Sequence, residues 1–316
     1  MTKRILITGA TGDVGSKVVR RLVERGDRPR IFVRDGVKAR ERFGADVDVF
    51  VGDLGDERSL GWALEGADAL FLVNSGPRIP ELDALAARAA VSAGVGHLVK
   101  LSSLDVEQSL AIGAWHARGE AAVLASGIRF TFVRPTGFMS NLTAWGHSIR
   151  EEGVVRASTG EGRRPFIHSE DIAAVVVEAL LSERYVGESL AITGPEALCF
   201  GEVAERIGRA TGRELRFEAI SDEEAGRRFA ATGASAEEVV AHRLHPQSPP
   251  TGLHSTTRRS QNAIPSFRIH LIQGKKVIHG LVHPHARRSA HGHWTWWPNL
   301  RHPQILHPRR PRPTRP

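Results

Sequence analysis

Lys3–Thr8 (KRILIT), running directly into Gly9-Ala10-Thr11-Gly12-Asp13-Val14-Gly15, is the stretch that decides the fold. An apolar run of strand length passes without a linker into three glycines spaced GxxGxxG. Val14, Val18 and Leu22 then recur at i, i+4 and i+8, the period of an amphipathic helix. In a strand–turn–helix of this kind Gly9 permits the tight turn. Gly12 removes the side chain that would hold a pyrophosphate off the backbone, and Gly15 lets the helix pack closely on the strand. The helix N-terminus offers free N–H groups and a partial positive charge, worth about 0.3–1 kcal/mol toward an exposed anion. The stretch reads as a dinucleotide cradle built from Gly9, Thr11, Gly12, Asp13, Val14 and Gly15.

Outward from it, short apolar runs alternate with helical periods. Strands are expected at Arg30–Val33, Asp48–Val51, Ala69–Val73, His97–Leu101 and Arg129–Val133, with helices at Ser59–Leu64, after Pro80 (stripe Leu82, Leu85, Ala86, Ala89, Ala90, Ala93) and at Gly113–Ala125. Six strands alternating with helices over residues 1–136 predict an α/β, Rossmann-type doubly wound parallel sheet.

In such a sheet ligands sit at the C-terminal ends of the strands. Arg34 follows the second strand, with Asp35 and Lys38 beyond it. A guanidinium there pairs with a ribose 2′-phosphate whereas a carboxylate bonds two hydroxyls, so NADP(H) is favoured over NAD(H). Asp53 and Leu54 follow the third strand, where Asp53 can accept from an adenine amino group. Asn74 and Ser75 cap the fourth, and Lys100 in the fifth is read as pointing to the sheet edge or the cofactor. After the sixth strand, Gly137, Phe138, Met139 and Asn141 are expected over the same crevice as a substrate pocket, with Phe138 or Met139 facing a flat ring.

Residues 137–241 read as a small α+β C-terminal substrate lobe with some return to the Rossmann core. A polar, Gly-rich stretch at 153–162 precedes a short strand at Pro165–His168, then a helix capped by Ser169 with Ile172, Ala173, Val175, Val176, Ala179 and Leu180 on its buried face. Ser189–Thr193 and Leu215–Ile220 read as strands, and Phe200–Ala210 and Asp222–Thr232 as helices.

At His242 the composition changes. Residues 242–316 hold 13 Lys and Arg, 11 His and 11 Pro with no acid, which leaves 30 basic against 35 acidic groups in the body. The net charge of +8 therefore averages an acidic body and a basic tail, and gives no ground for a nucleic-acid partner. Frequent Pro forbids a long helix. The tail is expected to be disordered and resembles out-of-frame translation of GC-rich DNA. A His-rich metal tract (His283, His285, His291, His293) and a basic arm carrying Trp294, Trp296 and Trp297 are the weaker readings, and no metal site is expected. One cysteine, Cys199, excludes an intrachain disulfide framework and fits a reducing cytoplasm. Neither a signal peptide nor a long apolar run is present, so no membrane role is expected.

Taken together, TGATGDVG, VRDGVKAR, GDL, HARGEAAVLASGIRFTFVRPTGFMSNL, FIHSEDIAAV and ITGPE over residues 1–241 resemble the atypical short-chain dehydrogenase/reductases of the NmrA-like group. The resemblance implies a Rossmann domain with a small substrate lobe, and either an NADPH-dependent quinone reductase or a non-catalytic NADP(H) sensor acting through a protein partner. Extended reductases of the superfamily carry a YxxxK pair on the helix before the sixth strand. Here Ile112 and His116 occupy those positions, and the only tyrosine, Tyr185, is in the distal lobe. Tyrosine-dependent ketone reduction is therefore disfavoured. Hydride transfer to a quinone or activated carbonyl survives, with water or His116 as the proton source, and the expected partner is a small molecule.

Overall fold

The computed structural model describes residues 3–108, 112–158, 162–243, 267–272 and 275–280. β1 (Ile5–Thr8), α1 (Asp13–Glu24), β2 (Arg30–Val33), α2 (Gly36–Phe43), β3 (Asp48–Val51), α3 (Glu57–Leu64), β4 (Ala69–Leu72), α4 (Ile79–Ser92), β5 (His97–Leu101), α5 (Ile112–Ala125) and β6 (Phe130–Pro135) follow in strict alternation. Then come α6 (Gly146–Glu152), β7 (Val154–Ala157), α7 (Ser169–Leu181), β8 (Glu188–Thr193), α8 (Phe200–Thr211), β9 (Arg216–Ala219), α9 (Asp222–Ala230) and α10 (Ala236–Arg243). The main sheet runs β3-β2-β1-β4-β5-β6-β8, all parallel. This is a Rossmann-like α/β fold.

Burial on both faces follows from the period of two along each strand. Ile5, Ile7, Phe71, Val99 and Val133 meet Val14, Val18 and Leu22 of α1 and Ile172, Val176 and Leu180 of α7. Leu6, Leu70, Leu72, Leu98 and Phe132 point the other way, onto Leu60 and Leu64 of α3, Ala86 and Ala90 of α4 and Val123 of α5. Each such Leu or Ile stabilises the fold by about 1.5–3 kcal/mol relative to exposure. The six residues expected on the buried face of α7 are all buried.

β1 pairs with β2 on one side and β4 on the other, so the strand order reverses there and a crevice opens beyond the C-terminal ends of β1 and β4. The Thr8 side chain closes the seam. Its oxygen accepts from Val73 N–H (2.7 Å), and its hydroxyl lies within 3.1 Å of Val73 O and 3.2 Å of Phe71 O.

Some elements depart from the expectations of the sequence and others add to them. α2, α6 and β7 form where no element is expected from the sequence. Pro165–His168 is not a strand, because Ile167 bridges to Phe138 and Arg164 to Leu198, and the segment ties two neighbours instead of following one. The cap of α7 is His168, whose Nδ1 accepts from Glu170 N–H, so Ser169 is the first helical residue. Within residues 137–241, α7 and β8 lie in the main layers, and β7 and β9 make a separate two-stranded parallel sheet. Beyond α10, β10 (Phe267–Ile272) and β11 (Lys275–Gly280) pair antiparallel, and β11 pairs with β8. The expected His and Trp tracts of the tail lie outside the described residues.

Candidate active site

Gly9 holds φ +59° and its carbonyl accepts from Gly12 N–H (3.0 Å), which makes the tight turn. A Cβ on Gly15 would stand 2.2 Å from Gly9 O, so α1 can start only flush against that turn. The first intrahelical bond runs from Ser16 N–H to Gly12 O (3.1 Å), which leaves the N–H groups of Asp13 and Val14 open to an anion. This cradle fits a dinucleotide pyrophosphate. The Asp13 carboxylate turns aside: it takes Lys17 Nζ at 2.5 Å and the Ser169 hydroxyl at 3.0 Å. Burial raises its pKa, but hydrogen bonds from Lys17, Ser140 and Ser169 outweigh that and hold it below the usual carboxylate range.

On the β2–β3 side Arg34 is exposed at the strand end. Asp35 is spent as the cap of α2, accepting from the N–H groups of Val37 and Lys38 (both 3.1 Å), and Lys38 Nζ lies 3.4 Å from it. Arg42, which carries no motif in the sequence, donates to the carbonyl of Thr11 at 2.5 Å and so brings a second guanidinium to the glycine loop. Asp53 is exposed, with Oδ1 accepting from Gly55 N–H (2.8 Å), and Leu54 packs on the core.

On the β4–β5–β6 side the rim carries a buried polar chain. Asn74 Nδ2 donates to Asp83 Oδ1 (2.8 Å), and Asp83 Oδ2 lies 2.7 Å from Lys100 Nζ, in ion-pair contact but off a hydrogen-bond axis. Lys100 Nζ in turn lies 3.5 Å from His116 Nδ1 and 3.5 Å from Leu101 O. Beside this chain Glu120 accepts from Ser102 Oγ (2.6 Å) and from Arg134 through both Nε and Nη2.

Two expectations change here. Lys100 shares the face of Leu98 and Phe132, under α4 and α5, and is fully buried against Asp83 instead of projecting to the sheet edge. His116 is buried, and burial followed by the Lys100 charge pushes its pKa down to about 3. It is neutral in ordinary buffers and cannot be a charged acid. Asp83 lies off the expected stripe: Ala86, Ala89 and Ala90 of that stripe are buried, but Ile79, Asp83 and Ala87 are buried beside them, and Leu82 and Leu85 are buried only in part. An acid at that spacing beneath a lysine in an apolar strand was the available signal.

Ile112, one turn before His116, packs on Ile79 and Trp115. Tyr185, 1% exposed, sits in the core beyond α7. Gly137–Asn141 follow β6 at the same rim, where a Cβ on Gly137 would strike Arg164 Cδ (2.7 Å). Phe138 is half-buried against the core, Met139 N–H bonds Ile167 O (2.9 Å), Asn141 is exposed, and Ser75 is exposed next to Asn74. The rim therefore reads, in sheet order, Gly137–Asn141, Asn74–Ser75, the glycine loop, Arg34 and Asp53, with His116 held against Lys100 of β5.

The sequence profile described as the NmrA-like family matches residues 1–244. The (4-alkanoyl-5-oxo-2,5-dihydrofuran-3-yl)methyl phosphate reductase of Streptomyces griseus subsp. griseus is 43% identical over 219 residues, covering 68% of this chain and 77% of its own. The NAD(P)H azoreductase of Xenophilus azovorans is 37% identical over 254 residues, covering 78% and 87%. The NADPH complex of an NADPH-dependent quinone oxidoreductase from Escherichia coli superposes with a TM-score of 0.69 at 24% identity, over 75% of this chain and 87% of that one, a likeness of fold.

Proposed function

Because the chain belongs to the NmrA-like family and is an NAD(P)H-dependent oxidoreductase, we propose that it reduces small, electron-poor conjugated acceptors with NADPH in preference to NADH. The observation that carries this reading is the rim itself. A pyrophosphate cradle, an exposed guanidinium and a loop of mixed polarity stand in one line, and no tyrosine stands at the position of the proton donor.

When bound, NADPH supplies the hydride. The open N–H groups of Asp13 and Val14 hold its pyrophosphate, and Arg34 with Lys38 and Arg42 favours a 2′-phosphate, since Asp35 is engaged as a helix cap. Asp53 and Leu54 flank the adenine end. Asn74 and Ser75 line the middle of the crevice, and Gly137, Phe138, Met139 and Asn141 bound the acceptor. Ile112 cannot deliver a proton, so acceptors whose reduced form is already a stabilised anion are favoured. A quinone, an azo compound and an unsaturated oxo-dihydrofuran, the acceptors in the names of the reductases above, share that property. Holding the partners in place then provides most of the acceleration. Those reductase names also favour turnover over a non-catalytic sensor. Among the described residues no helix is long and apolar enough to cross a membrane.

The test is titration with NADPH and NADH, then a panel of quinones, azo dyes, unsaturated lactones and simple ketones, following the near-ultraviolet absorbance of the reduced nicotinamide. Oxidation with the first three classes and none with simple ketones is expected. Tight binding without oxidation of any acceptor would overturn the reading.

A further inference from the structure

The helix position that carries lysine in tyrosine-dependent reductases holds His116 here, yet an ammonium is present: strand β5 delivers it from below. Lys100 reaches this place because the period of two puts it on the α4–α5 face, where Asp83 compensates its charge. Around its ammonium lie Asp83 Oδ2 (2.7 Å) as an ion-pair partner, and Leu101 O (3.5 Å) and His116 Nδ1 (3.5 Å) as acceptors.

An ammonium has donors only, so the ring nitrogen facing it must be the bare one. Even at 3.5 Å, the long limit of a hydrogen bond, an N–H at Nδ1 would set two positive dipoles against each other. The ring proton is therefore placed on Nε2. That nitrogen has no protein partner among the described residues and, unlike His97 Nδ1, is not a sealed polar atom. The contacts running from Asn74 through Asp83 and Lys100 to His116 tie the ring to the segment that follows β4.

We propose that Lys100 is a positioning residue: its ammonium fixes the tautomer of His116 in which Nε2–H faces the crevice and donates a hydrogen bond to the oxygen or nitrogen that becomes anionic on the reduced acceptor. The proposal rests on the reductase reading above. Hydride, with its electron pair, goes from NADPH to the acceptor, NADP+ is formed, and the anion takes its proton from water. His116 gives up no proton. A neutral ring suits that role, because the N–H of an uncharged imidazole stabilises an anion without being consumed. The charged groups facing the ring are Lys100 from β5 and Asp105 from the segment before α5, with Asp83 of α4 behind Lys100.

Nitrogen-15 NMR of histidine side chains in the full-length protein, without and with NADPH, tests the claim. Assigned through His116→Gln, the wild-type resonance is expected to show a bare Nδ1 and protonated Nε2 throughout the neutral range. Lys100→Met alone strands Asp83 and can unfold the chain, so the decisive variant is Lys100→Met with Asp83→Asn, which removes both charges. It is expected to give a mixture of tautomers and about a tenfold lower kcat, with NADPH affinity within about twofold. His116→Leu is expected to lower kcat by roughly a hundredfold, and His116→Gln, which keeps a neutral N–H near Nε2, to restore most of it. A protonated Nδ1 in the wild type, an unchanged tautomer in the double variant, or unchanged kcat in His116→Leu would each overturn it. Absence of NADPH binding to the wild type would instead defeat the reductase reading, while the tautomer would still be readable in the protein alone.

Discussion

Asp83 of α4 and Gly119 of α5 meet so closely that a Cβ on Gly119 would stand 2.0 Å from Asp83 Oδ2. The glycine in mid-helix is therefore the opening that admits a buried carboxylate to its lysine. Burial pushes the Asp83 carboxyl up, and Lys100 and Asn74 oppose that. Gly119→Ala has to displace the carboxylate from Lys100. Although alanine is the better helix former, the variant is expected to lose about 2–4 kcal/mol in urea unfolding, the scale of a broken buried pair. An unchanged midpoint would show that α4 and α5 separate freely.

Gly15 and Gly12 carry different burdens. The Cβ of Gly15→Ala would overlap Gly9 O at 2.2 Å, whereas that of Gly12→Ala meets the same atom at 3.2 Å. Gly15→Ala is expected to destabilise the cofactor-free protein by about 1–3 kcal/mol through overpacking. Gly12→Ala is expected to stay within about 1 kcal/mol of wild type without cofactor and to weaken NADPH binding instead. Thermal melts without cofactor and a fluorescence titration with NADPH separate the two, and equal effects on stability would contradict the assignment.

What the sequence made legible is what local periodicity encodes. The strand, three glycines and α1 lie within about two dozen residues, and the strands of the sheet are nearly unbroken apolar runs because both faces are covered. α2 escaped because it buries only Gly36 and Ala39 and so shows no stripe. β7 escaped because Arg156 interrupts it, and that residue is satisfied by Glu152 one helix back and by Glu218 on the paired strand. Lys100 could be placed in a strand, but which helices cover its face is a matter of topology, and Asp83 and His116 lie 17 and 16 residues away along the chain. The rim positions after each strand were readable as soon as the sheet was parallel. The charge pairing beneath them was not.

Arg34 can be separated from the rest of the cradle. Because Asp35 is occupied in capping α2, Arg34→Ala removes a cation without freeing a carboxylate. It is expected to weaken NADPH by about 1.5–3 kcal/mol, roughly 10- to 150-fold, and to leave NADH within about twofold. Isothermal titration with both nucleotides checks this. Equal losses for both would place Arg34 on a part of the nucleotide that the two share.

Acid should unfold the protein through its buried histidines. His97 is sealed against Thr131, whose hydroxyl donates to Tyr185 O (2.7 Å) and so accepts from His97 Nε2–H (2.9 Å), leaving Nδ1 bare and unpartnered. Burial, then the charge of Lys3, push its pKa from 6.5 to about 4, with Arg129 adding to the fall and Glu183 opposing it. His116 falls to about 3. Below pH 6.5 the unfolded chain takes up protons that the folded chain refuses, so the stability from neutral burial is complete above that pH and drains away toward pH 4 and 3. Each tenfold fall in proton affinity on folding corresponds to ~1.4 kcal/mol, so the two histidines together set a loss of roughly 3–6 kcal/mol by pH 4. His97→Gln, which keeps an N–H for Thr131 but has nothing to titrate, is expected to flatten the acid limb of stability between pH 6.5 and 4 relative to wild type. Equilibrium unfolding across that range measures it, and superimposable acid limbs would mean that His97 already titrates freely in the folded protein.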